Sequence, residues 1–354
     1  MTPGAQEQRL TAQLLAGEPA SSAEAAVRRI LAVQGQDPRG FRLAVRARTT
    51  GGTAADVDAA LTERRSLVVA WLNRGTLHLV AAEDYWWLHP LTTPQLATAN
   101  ARRLEQEGLS EADARRGVDL VVERIVHDGS KTRTELRAAL DGAGIRTAGQ
   151  ALVHVLFAAS LRHRVVRGPL RNGEHAYVLA ETWLGPPPEA LDRRDALAKL
   201  ARRYLLGHGP ADARDLAVWA GINLGDARLG LDAIAADTVQ DADGLIAVAD
   251  PAGPSGTAPP RLLGSFDPVL HGWASRAATL GPHADHVVAG GVFRPFALVD
   301  GRAVATWRLD RGRVRLRALE PIRPADVDAL AEDAGRVLSY LGLPPAPLEI
   351  VDAP

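Results

Sequence analysis

The clearest pattern of apolar and polar positions runs through residues 110–184, where three helical periods precede an alternating segment. The first two helices begin with capping signatures, each a polar residue followed three positions later by an acidic one: Ser110 with Asp113, and Thr132 with Glu135. A third helix is predicted over 147–162, and the segment after it alternates and turns at Asn172-Gly173, which indicates a β-hairpin. Three helices followed by a hairpin are the layout of a winged helix, a variant of the helix-turn-helix.

The same order of elements returns about eighty residues later, and this repetition predicts duplicated modules. The segment RRDALAKLARRYLLGHGPADARDLAVWAG contains a helix, a break with glycine, and a second start signal in which Asp212 precedes Asp215 by three residues. A third helix is expected at 226–236, before the short extended segment DADGLIAVAD.

The N-terminal part fits a looser version of this module, with helices expected at 5–16 and 21–34. A further helix that starts at Thr53 and Asp56 is expected to carry four apolar residues: Val57, Leu61, Val68 and Trp71. The segment RGTLHLVAAEDYWW follows, and its first half alternates like a wing strand. We therefore predict three winged-helix modules in a row.

The C-terminal segment VFRPFALVDGRAVATWRLDRGRVRLRALEP has a different pattern, with two turn signals between alternating runs. It predicts a three-stranded antiparallel meander, and an amphipathic helix is expected after it at 324–341. Residues 249–261 have the composition of a linker and are expected to form a mobile surface loop. The predicted fold is α+β, divided at 1–100, 101–190 and 191–354, with the meander and final helix in the last part.

The composition is that of a soluble globular protein whose 354 residues suffice for two or three domains. A formal net charge of −1 argues against a wholly basic nucleic-acid coat protein but allows local basic surfaces. All but two of the 41 basic residues are arginines. Arginine binds phosphates bidentately, although the same bias also marks a GC-rich coding sequence.

Several classes of site and location are excluded by what the sequence lacks. With no cysteine there is no disulfide, thiolate zinc site or cysteine-held iron–sulfur cluster. The N-terminus has neither the basic nor the apolar region of a signal peptide, and no stretch approaches about 18 uninterrupted apolar residues. We expect a cytoplasmic protein that does not contact the membrane.

A row of arginines is the most conspicuous feature of the meander. The row recurs at period two, so a strand would place its guanidiniums on one face: Arg311, Arg313, Arg315 and Arg317. Spaced about 6.5–7 Å apart, they can follow a phosphate backbone, or they can form a solvated outer face beside nearby acidic residues. Arg294, near Gly290-Gly291, is either part of a loop that enters a groove or a plain strand-start arginine.

The histidines do not indicate a metal site. His78 lies in an alternating apolar strand, His271 follows the FDPVL segment, and His283 and His286 stand three residues apart, whereas catalytic zinc normally has three protein ligands. HExxH, EF-hand, phosphate-loop and GxSxG motifs are not present. We therefore expect neither a metal nor a cofactor, and metalloprotease, kinase, dinucleotide-binding and α/β-hydrolase functions lose support.

Two glutamines, in the stretch AVQGQDPRG, remain as candidates for chemistry. In an extended backbone the side chains of Gln34 and Gln36 point to one side, and their amides can orient a single water. Glutamine is a poor base, so such a pair suits a reaction whose leaving group is already activated. The alternative is that both are polar residues that leave a helix at a turn; Asp37, the nearest candidate base, precedes Pro38 and fits a turn as well.

Six segments in this order resemble the AlkZ-type family of bacterial tandem winged-helix DNA glycosylases: RLTAQLLAG, ILAVQGQDPRGFRLAVRAR, LNRGTLHLVAAEDYWWL, YLLGHGPADARDLAVWAG, LLGSFDPVLHGW and GGVFRPFALVDGRAVATWRL. The resemblance covers about residues 8–320. It implies three winged helices that form a C-shaped DNA-binding channel, and a monofunctional glycosylase that acts on bulky N7-alkylated purines. Some members also unhook interstrand crosslinks.

The catalytic motif of this family is glutamine, an apolar residue, and then glutamine, or aspartate in a sister subgroup. It falls on Gln34, Gly35 and Gln36, with glycine in place of the usual bulkier middle residue. The resemblance implies that the two glutamines hold a water against C1′ of a nucleotide whose alkylated base departs readily. Both lysines, Lys131 and Lys199, lie outside this segment, which disfavours a Schiff-base lyase mechanism.

The remaining site residues follow from the same segments. We expect DNA contacts from six residues and supporting roles for two acidic ones: Arg74, His78, Arg294, Arg311, Arg313 and Arg315, and Asp37 and Asp267. The expected partner is double-stranded DNA with alkylated purines, bound by a monomer. The alternative function is a non-catalytic winged-helix DNA-binding protein, such as a transcriptional regulator. Self-resistance to a DNA-alkylating natural product and general alkylation repair both stay open.

Overall fold

The chain folds into helices joined by short strands, and the computed structural model describes residues 3–171, 173–249 and 257–351. Up to residue 191 the helices are α1 (Pro3–Ala12), α2 (Ala23–Ile30), α3 (Pro38–Arg46), α4 (Ala54–Thr62), α5 (Ala82–Thr92), α6 (Leu96–Gln106), α7 (Glu111–Asp128), α8 (Arg133–Gly142), α9 (Ala151–Leu161) and α10 (Ala180–Leu184). The strands of this part are β1 (Val33–Gln34), β2 (Leu67–Leu72), β3 (Thr76–Ala81), β4 (Val165–Arg171) and β5 (Glu174–Leu179).

From residue 192 onward, helices and strands are more finely mixed. The helices are α11 (Arg193–His208), α12 (Ala213–Ala220), α13 (Leu224–Ala233), α14 (Ala277–Leu280), α15 (Ala284–Val287) and α16 (Pro324–Tyr340). The strands are β6 (Thr238–Gln240), β7 (Ile246–Val248), β8 (Arg261–Leu263), β9 (Val288–Ala289), β10 (Val292–Phe293), β11 (Phe296–Val299), β12 (Arg302–Asp310), β13 (Arg313–Ala318) and β14 (Glu349–Val351). The chain divides into two units, one of residues 1–57 and 192–354 and the other of residues 58–191.

The unit of residues 58–191 contains the predicted series of three helices and a hairpin. Ser110 accepts from the Asp113 amide at the start of α7, and Thr132 with Glu135 forms a reciprocal capping box at the start of α8. The helices enclose a core that includes Leu136, Val155 and Tyr177. Beside it, four strands lie in the order β3, β2, β4, β5, with antiparallel pairs. The predicted hairpin is confirmed, while Asn172 of its turn lies outside the described residues.

The other unit repeats the series and adds the C-terminal sheet. Asp212 and Asp215 form a reciprocal capping box at the start of α12, and β6 pairs with β7 after α13. The predicted meander of β11, β12 and β13 is confirmed and extended: β8 joins β11 antiparallel, and β14 joins β13 parallel. Helix α16 packs on β8 and β13 over a core that includes Leu316, Leu330 and Leu338.

Several predicted elements in the N-terminal part are wrong in extent or type. Helix α2 ends at Ile30, not at 34, and α4 ends at Thr62, so Val68 and Trp71 lie on strand β2. Helix α4 does not continue into residues 67–72 because Arg65 adopts φ +53° and the β-branched residues after it favour a strand. Helix α3 was not predicted, since Asp37-Pro38 reads equally as a turn and as a helix start.

Two further expectations are not decided by this fold. Most of the predicted mobile loop, residues 250–256 of 249–261, lies outside the described residues. The division at 1–100, 101–190 and 191–354 stays a prediction. None of the described helices is long and apolar enough to cross a membrane.

Candidate active site

The two glutamines singled out by the sequence lie between α2 and α3, and their amide groups meet. Gln34 ends β1 and is 5% exposed, whereas Gln36 is exposed. The Nε2 atom of Gln34 donates a hydrogen bond to Oε1 of Gln36 over 2.8 Å, which confirms the predicted convergence of the two side chains. Because this bond uses an acceptor of Gln36, the N–H donors of the Gln36 amide remain to hold a water or a substrate atom.

Asp37 follows the pair and caps α3. Its Oδ1 atom accepts a hydrogen bond from the backbone N–H of Arg39 over 2.9 Å, and Pro38 occupies the first helical turn. An N-cap carboxylate and a proline with a fixed φ angle together define where a helix begins. Asp37 therefore ties the glutamine loop to α3, with one oxygen of its carboxylate engaged in the helix cap.

The C-terminal half of α3 is held by a buried ion pair with α16. Both guanidinium Nη atoms of Arg46 donate to the carboxylate of Asp333, over 2.8 and 3.0 Å, and the amide of Leu262 donates to the same carboxylate over 2.7 Å. Burial alone raises the pKa of Asp333. The attraction and hydrogen bonds of Arg46 and the Leu262 amide outweigh burial, so the pKa lies below its usual value.

A second buried ion pair lies just beyond the end of α3 and involves one of the predicted supporting residues. Arg48 donates to both carboxylate oxygens of Asp267, over 2.7 and 2.9 Å, and neither side chain is exposed. Arg48 also donates to the Ala44 carbonyl and to Gln13. Both oxygens of Asp267 thus bind Arg48, so Asp267 fixes the chain just beyond the end of α3.

The first turns of α3 pack directly against the segment that follows β8. Gly40 permits this contact, because a Cβ atom at that position would overlap the carbonyl oxygen of Ser265. On the other side, a Cβ atom on Gly264 would lie 3.0 Å from Cβ of Leu43 and 3.1 Å from the Gly40 carbonyl oxygen. Two facing glycines thus let α3 and this segment lie with their backbones in contact.

Three of the four arginines in the predicted row lie on one face of β13, but part of their charge is paired. Arg313 and Arg315 both donate to Glu349 on β14, over 2.9 and 2.7 Å, and Arg315 also pairs with Asp310. Arg311 stands in the turn before β13 at φ +49° and is exposed, so it is not part of the strand row. The carboxylates of Asp310 and Glu349 agree with the interpretation of a solvated outer face. Because the arginines outnumber these two carboxylates, the pairs do not balance the whole charge of the row.

Arg294 lies beside the β9–β10 hairpin, whose turn is Gly290-Gly291. Its Nη1 atom donates to the His286 carbonyl over 2.7 Å, and its own amide donates to Val287. Val292, next to the turn, is largely exposed. The predicted loop therefore exists as a hairpin with an exposed tip, and Arg294 braces it against α15.

Two predicted DNA contacts belong to the unit of residues 58–191, and one of them is wrong. Arg74 is half-buried in the short 3₁₀ turn between β2 and β3. His78 on β3 is only 3% exposed, and its Nδ1 atom lies 3.0 Å from the Thr76 carbonyl oxygen. Burial, with the nearby charge of Arg74, lowers the pKa of His78 to about 3. Because the ring of His78 is buried and neutral, it provides neither a positive charge nor an exposed surface for contact with DNA.

No group of three or more metal-ligating side chains stands together among the described residues. His283 instead lies 2.7 Å from a carboxylate oxygen of Glu320, and His286 lies beside His283.

The sequence analysis missed the residues that hold α3: Gly40, Arg46, Arg48 and Asp333. The segment FRLAVRAR carried a signal for them, since arginines that alternate with apolar residues in a buried helix require buried acidic partners. The partners themselves could not be read from the sequence, because Asp267 and Asp333 lie 219 and 287 positions away from Arg48 and Arg46.

Comparison with known proteins identifies the class to which this fold and amide pair belong. The model of the AlkZ-like DNA glycosylase family matches residues 27–340, which include Gln34, Gln36 and the whole of α3. The chain therefore belongs to the AlkZ-like DNA glycosylase family. It is an enzyme of DNA repair that acts on DNA.

A solved structure shows the same fold. The DNA glycosylase AlkZ of Streptomyces sahachiroi superposes with a TM-score of 0.78, covers 99% of each chain and is 22% identical in sequence. No curated protein matches the chain. The family assignment excludes the alternative of a non-catalytic DNA-binding regulator.

Proposed function

We propose that this enzyme removes N7-alkylated guanine from double-stranded DNA by hydrolysis, with a water held by Gln34 and Gln36. One observation carries the proposal: the two amides are joined by a 2.8 Å hydrogen bond, with one partner buried and the other exposed. A buried partner limits the motion of the pair, and an exposed partner makes it accessible to a substrate.

The chemistry requires an oriented water more than a strong base. Alkylation at N7 gives the guanine a positive charge, so the electron pair of the C1′–N9 bond leaves readily with the base and neutralises it. The oxygen of the held water then bonds to C1′, and the water proton passes to solvent. Orientation of a nucleophile alone can supply a large rate factor, which suits a site made of amides.

The proposed reaction is monofunctional and leaves an abasic site. A lyase reaction would need an amine to form a Schiff base with the sugar. The two lysines of the chain, Lys131 and Lys199, lie on or beside helices far in sequence from the glutamine loop. We propose no metal or cofactor for the reaction.

We propose that three tandem winged-helix modules, at 1–100, 101–190 and 191–354, form the C-shaped DNA channel that the family resemblance implies. The repeated order of helices, capping boxes and hairpin in α7–β5 and α11–β7 supports this arrangement. Arginines are the proposed phosphate contacts: Arg74, Arg294, Arg311, Arg313 and Arg315. Asp37 and Asp267 support the site by holding α3.

Within this proposal the substrates are bulky N7 adducts, and they include interstrand crosslinks. A bulky adduct need not enter a tight pocket for flipped bases, so a channel lined by winged helices can accept it. The enzyme acts as a monomer in the cytoplasm. Self-resistance to an alkylating natural product and general repair require the same reaction, and the range of lesions accepted distinguishes them.

The test compares purified variants on duplexes that carry one lesion each: N7-methylguanine, a bulky intercalator-type N7 adduct, or an N7-linked crosslink. We expect Gln34→Ala and Gln36→Ala each to lower the rate of base release by about 100-fold, since the water loses its orientation. Duplex binding should stay within twofold. Free base is measured by mass spectrometry, and binding is measured by fluorescence anisotropy.

Two control variants separate the amide pair from its surroundings. Gln106→Ala removes an exposed glutamine at the end of α6 and should leave release unchanged. Asp37→Asn keeps a cap acceptor and removes the carboxylate, so it should also release base at the normal rate. Wild-type inactivity on all three lesions, or full activity of the double alanine variant, would overturn the proposal. Loss of release in Asp37→Asn would make Asp37 the base.

A further inference from the structure

Residues Gly264 to Asp267, here called the linking segment, connect the glutamine loop with the β9–β10 hairpin. Each residue of the segment makes a distinct contact. Gly264 and the Ser265 carbonyl lie against Gly40 in the first turns of α3, a few residues after Gln36. A displacement of the linking segment must therefore displace the start of α3, because no side chain lies between the two backbones to absorb it.

Phe266 joins the segment to the hairpin. Its ring centroid lies 4.8 Å from that of Phe293, the last residue of β10, and His271 completes the cluster at 4.5 Å from Phe293. The guanidinium of Arg276 lies over the Phe293 ring at 5.3 Å. Phe266 and Phe293 are both partly exposed, so this cluster is a contact at the surface rather than part of the main core.

The backbone of Phe266 adds a second indication that this position is specified. Its φ angle is +57°, a conformation that side chains with a Cβ atom adopt rarely. Asp267, the next residue, is fixed by the two hydrogen bonds from Arg48 beyond the end of α3. The segment is thus held on both sides of Phe266, by Gly40 of α3 and by Arg48 beyond the end of that helix. The strained residue between these two anchors presents its ring to the hairpin.

We infer that Phe266 is a positioning residue for base release, which couples the β9–β10 hairpin to the orientation of Gln36. The inference rests on the proposed catalytic role of the glutamine pair. Pressure on the hairpin from bound DNA reaches Phe293, passes through the ring of Phe266, and moves the Ser265 backbone against Gly40. The water is then oriented fully only when the hairpin is engaged.

The test uses Phe266→Leu, which removes the ring, and Phe266→Tyr, which keeps it. We expect Phe266→Leu to lower the rate of base release at saturating enzyme at least tenfold, while the Kd for the lesion duplex changes less than twofold. Phe266→Tyr should release base at the wild-type rate, because it keeps the ring. Phe157→Leu, a matched change in the core beside Trp71 in the unit of residues 58–191, should lower Tm without lowering the saturated rate.

A second variant, Gly40→Ala, tests the same path from the side of α3. Its Cβ atom forces the linking segment away, so it should also reduce the saturated rate, and the double variant Gly40→Ala with Phe266→Leu should be no slower than the slower single variant. An unchanged saturated rate in Phe266→Leu, or losses that multiply in the double variant, would overturn the inference. If alanine variants of the glutamines are fully active, the proposed function itself fails.

Discussion

Two buried histidines show how surroundings determine the charge of a residue. His78 is 3% exposed and His89 is fully buried, next to Tyr85 and His163. Burial, assisted by Arg74 at His78 and by His163 at His89, lowers the pKa of each ring to about 3. The unfolded chain gains a proton on each below its ordinary pKa of 6.5, but the folded chain does not. The free energy of unfolding therefore falls as pH drops from 6.5 toward 3, and it is unaffected by these rings above 6.5.

We predict that each ring reduces the free energy of unfolding by about 2 kcal/mol between pH 7 and pH 5, at about 1.4 kcal/mol per pH unit below 6.5. His89→Gln should therefore reduce the loss of stability over this interval by about 2 kcal/mol. Urea unfolding of both proteins at the two pH values measures the difference. The exposed His127, changed to Gln, serves as the control and should keep the wild-type pH dependence.

At the scale of single residues, the sequence correctly predicted a contact between close neighbours, but it did not predict which side chain is buried. The convergence of Gln34 and Gln36 follows from two residues of extended backbone, and the structure confirms it. His78 was expected to contact DNA because an alternating strand does not reveal which face is covered. Which face of a strand is buried depends on elements that are distant in sequence.

Helix α3 shows how an element near the site depends on its surroundings. Its nine residues are too few for a stable isolated helix, since nucleation is costly and isolated helices below about 12–15 residues are marginal. The Asp37 cap begins it, and the pairs of Arg46 with Asp333 and Arg48 with Asp267 hold it. The position of the glutamine loop is thus determined by carboxylates from two other parts of the chain.

Asp333→Asn is predicted to destabilise the protein by about 3–5 kcal/mol, because the charge of Arg46 is left buried without a counterion. The contribution of Asp333 is present above its ordinary pKa of 3.8 and is lost as pH falls through the lowered pKa of the folded state. Chemical denaturation at pH 7 measures the loss. Glu332→Gln, which removes an exposed partner of Arg336 on the same helix, should change stability by less than about 1 kcal/mol. Equal stability of the two variants would refute the anchoring role.

The elements predicted correctly share one property: their signals lie within a few residues. Capping boxes at Thr132 and Asp212 join residues three apart, and the meander turns lie between strands that pair directly. α3 was missed because its helical signal was weak and its stabilising partners were remote. β14 was missed because its three residues form a strand only by pairing with β13.

The charge of the protein as a whole gives little indication of its partner. The formal net charge is −1, and the arginines of β13 are balanced in part by Glu349 from β14. Binding to DNA then depends on how many arginines reach phosphates rather than on a general positive field. Arg311 is exposed and lies in the turn just before this strand.

Arg311→Gln is predicted to weaken duplex binding and to lower the slope of log K against log salt concentration by about 1, as expected for the loss of one phosphate contact. The affinity for an undamaged duplex, measured by anisotropy at several salt concentrations, provides both values. Arg115→Gln, on the exposed surface of α7 where Arg115 pairs with Glu111, is the control and should leave the slope unchanged. An unchanged slope in Arg311→Gln would assign this arginine to the solvated face.

The sequence by itself determined the repeated helices and hairpins, the meander, the meeting of the two glutamine amides and the resemblance that the family match confirmed. Each of these rests on local spacing or on motifs read in order. The tertiary structure alone decided that His78 is buried, that Asp267 and Asp333 anchor α3, and that Glu349 pairs with the arginine row. The physical reason is that burial and ion pairing depend on desolvation and on partners that lie from 34 to 287 positions away, which local spacing does not encode.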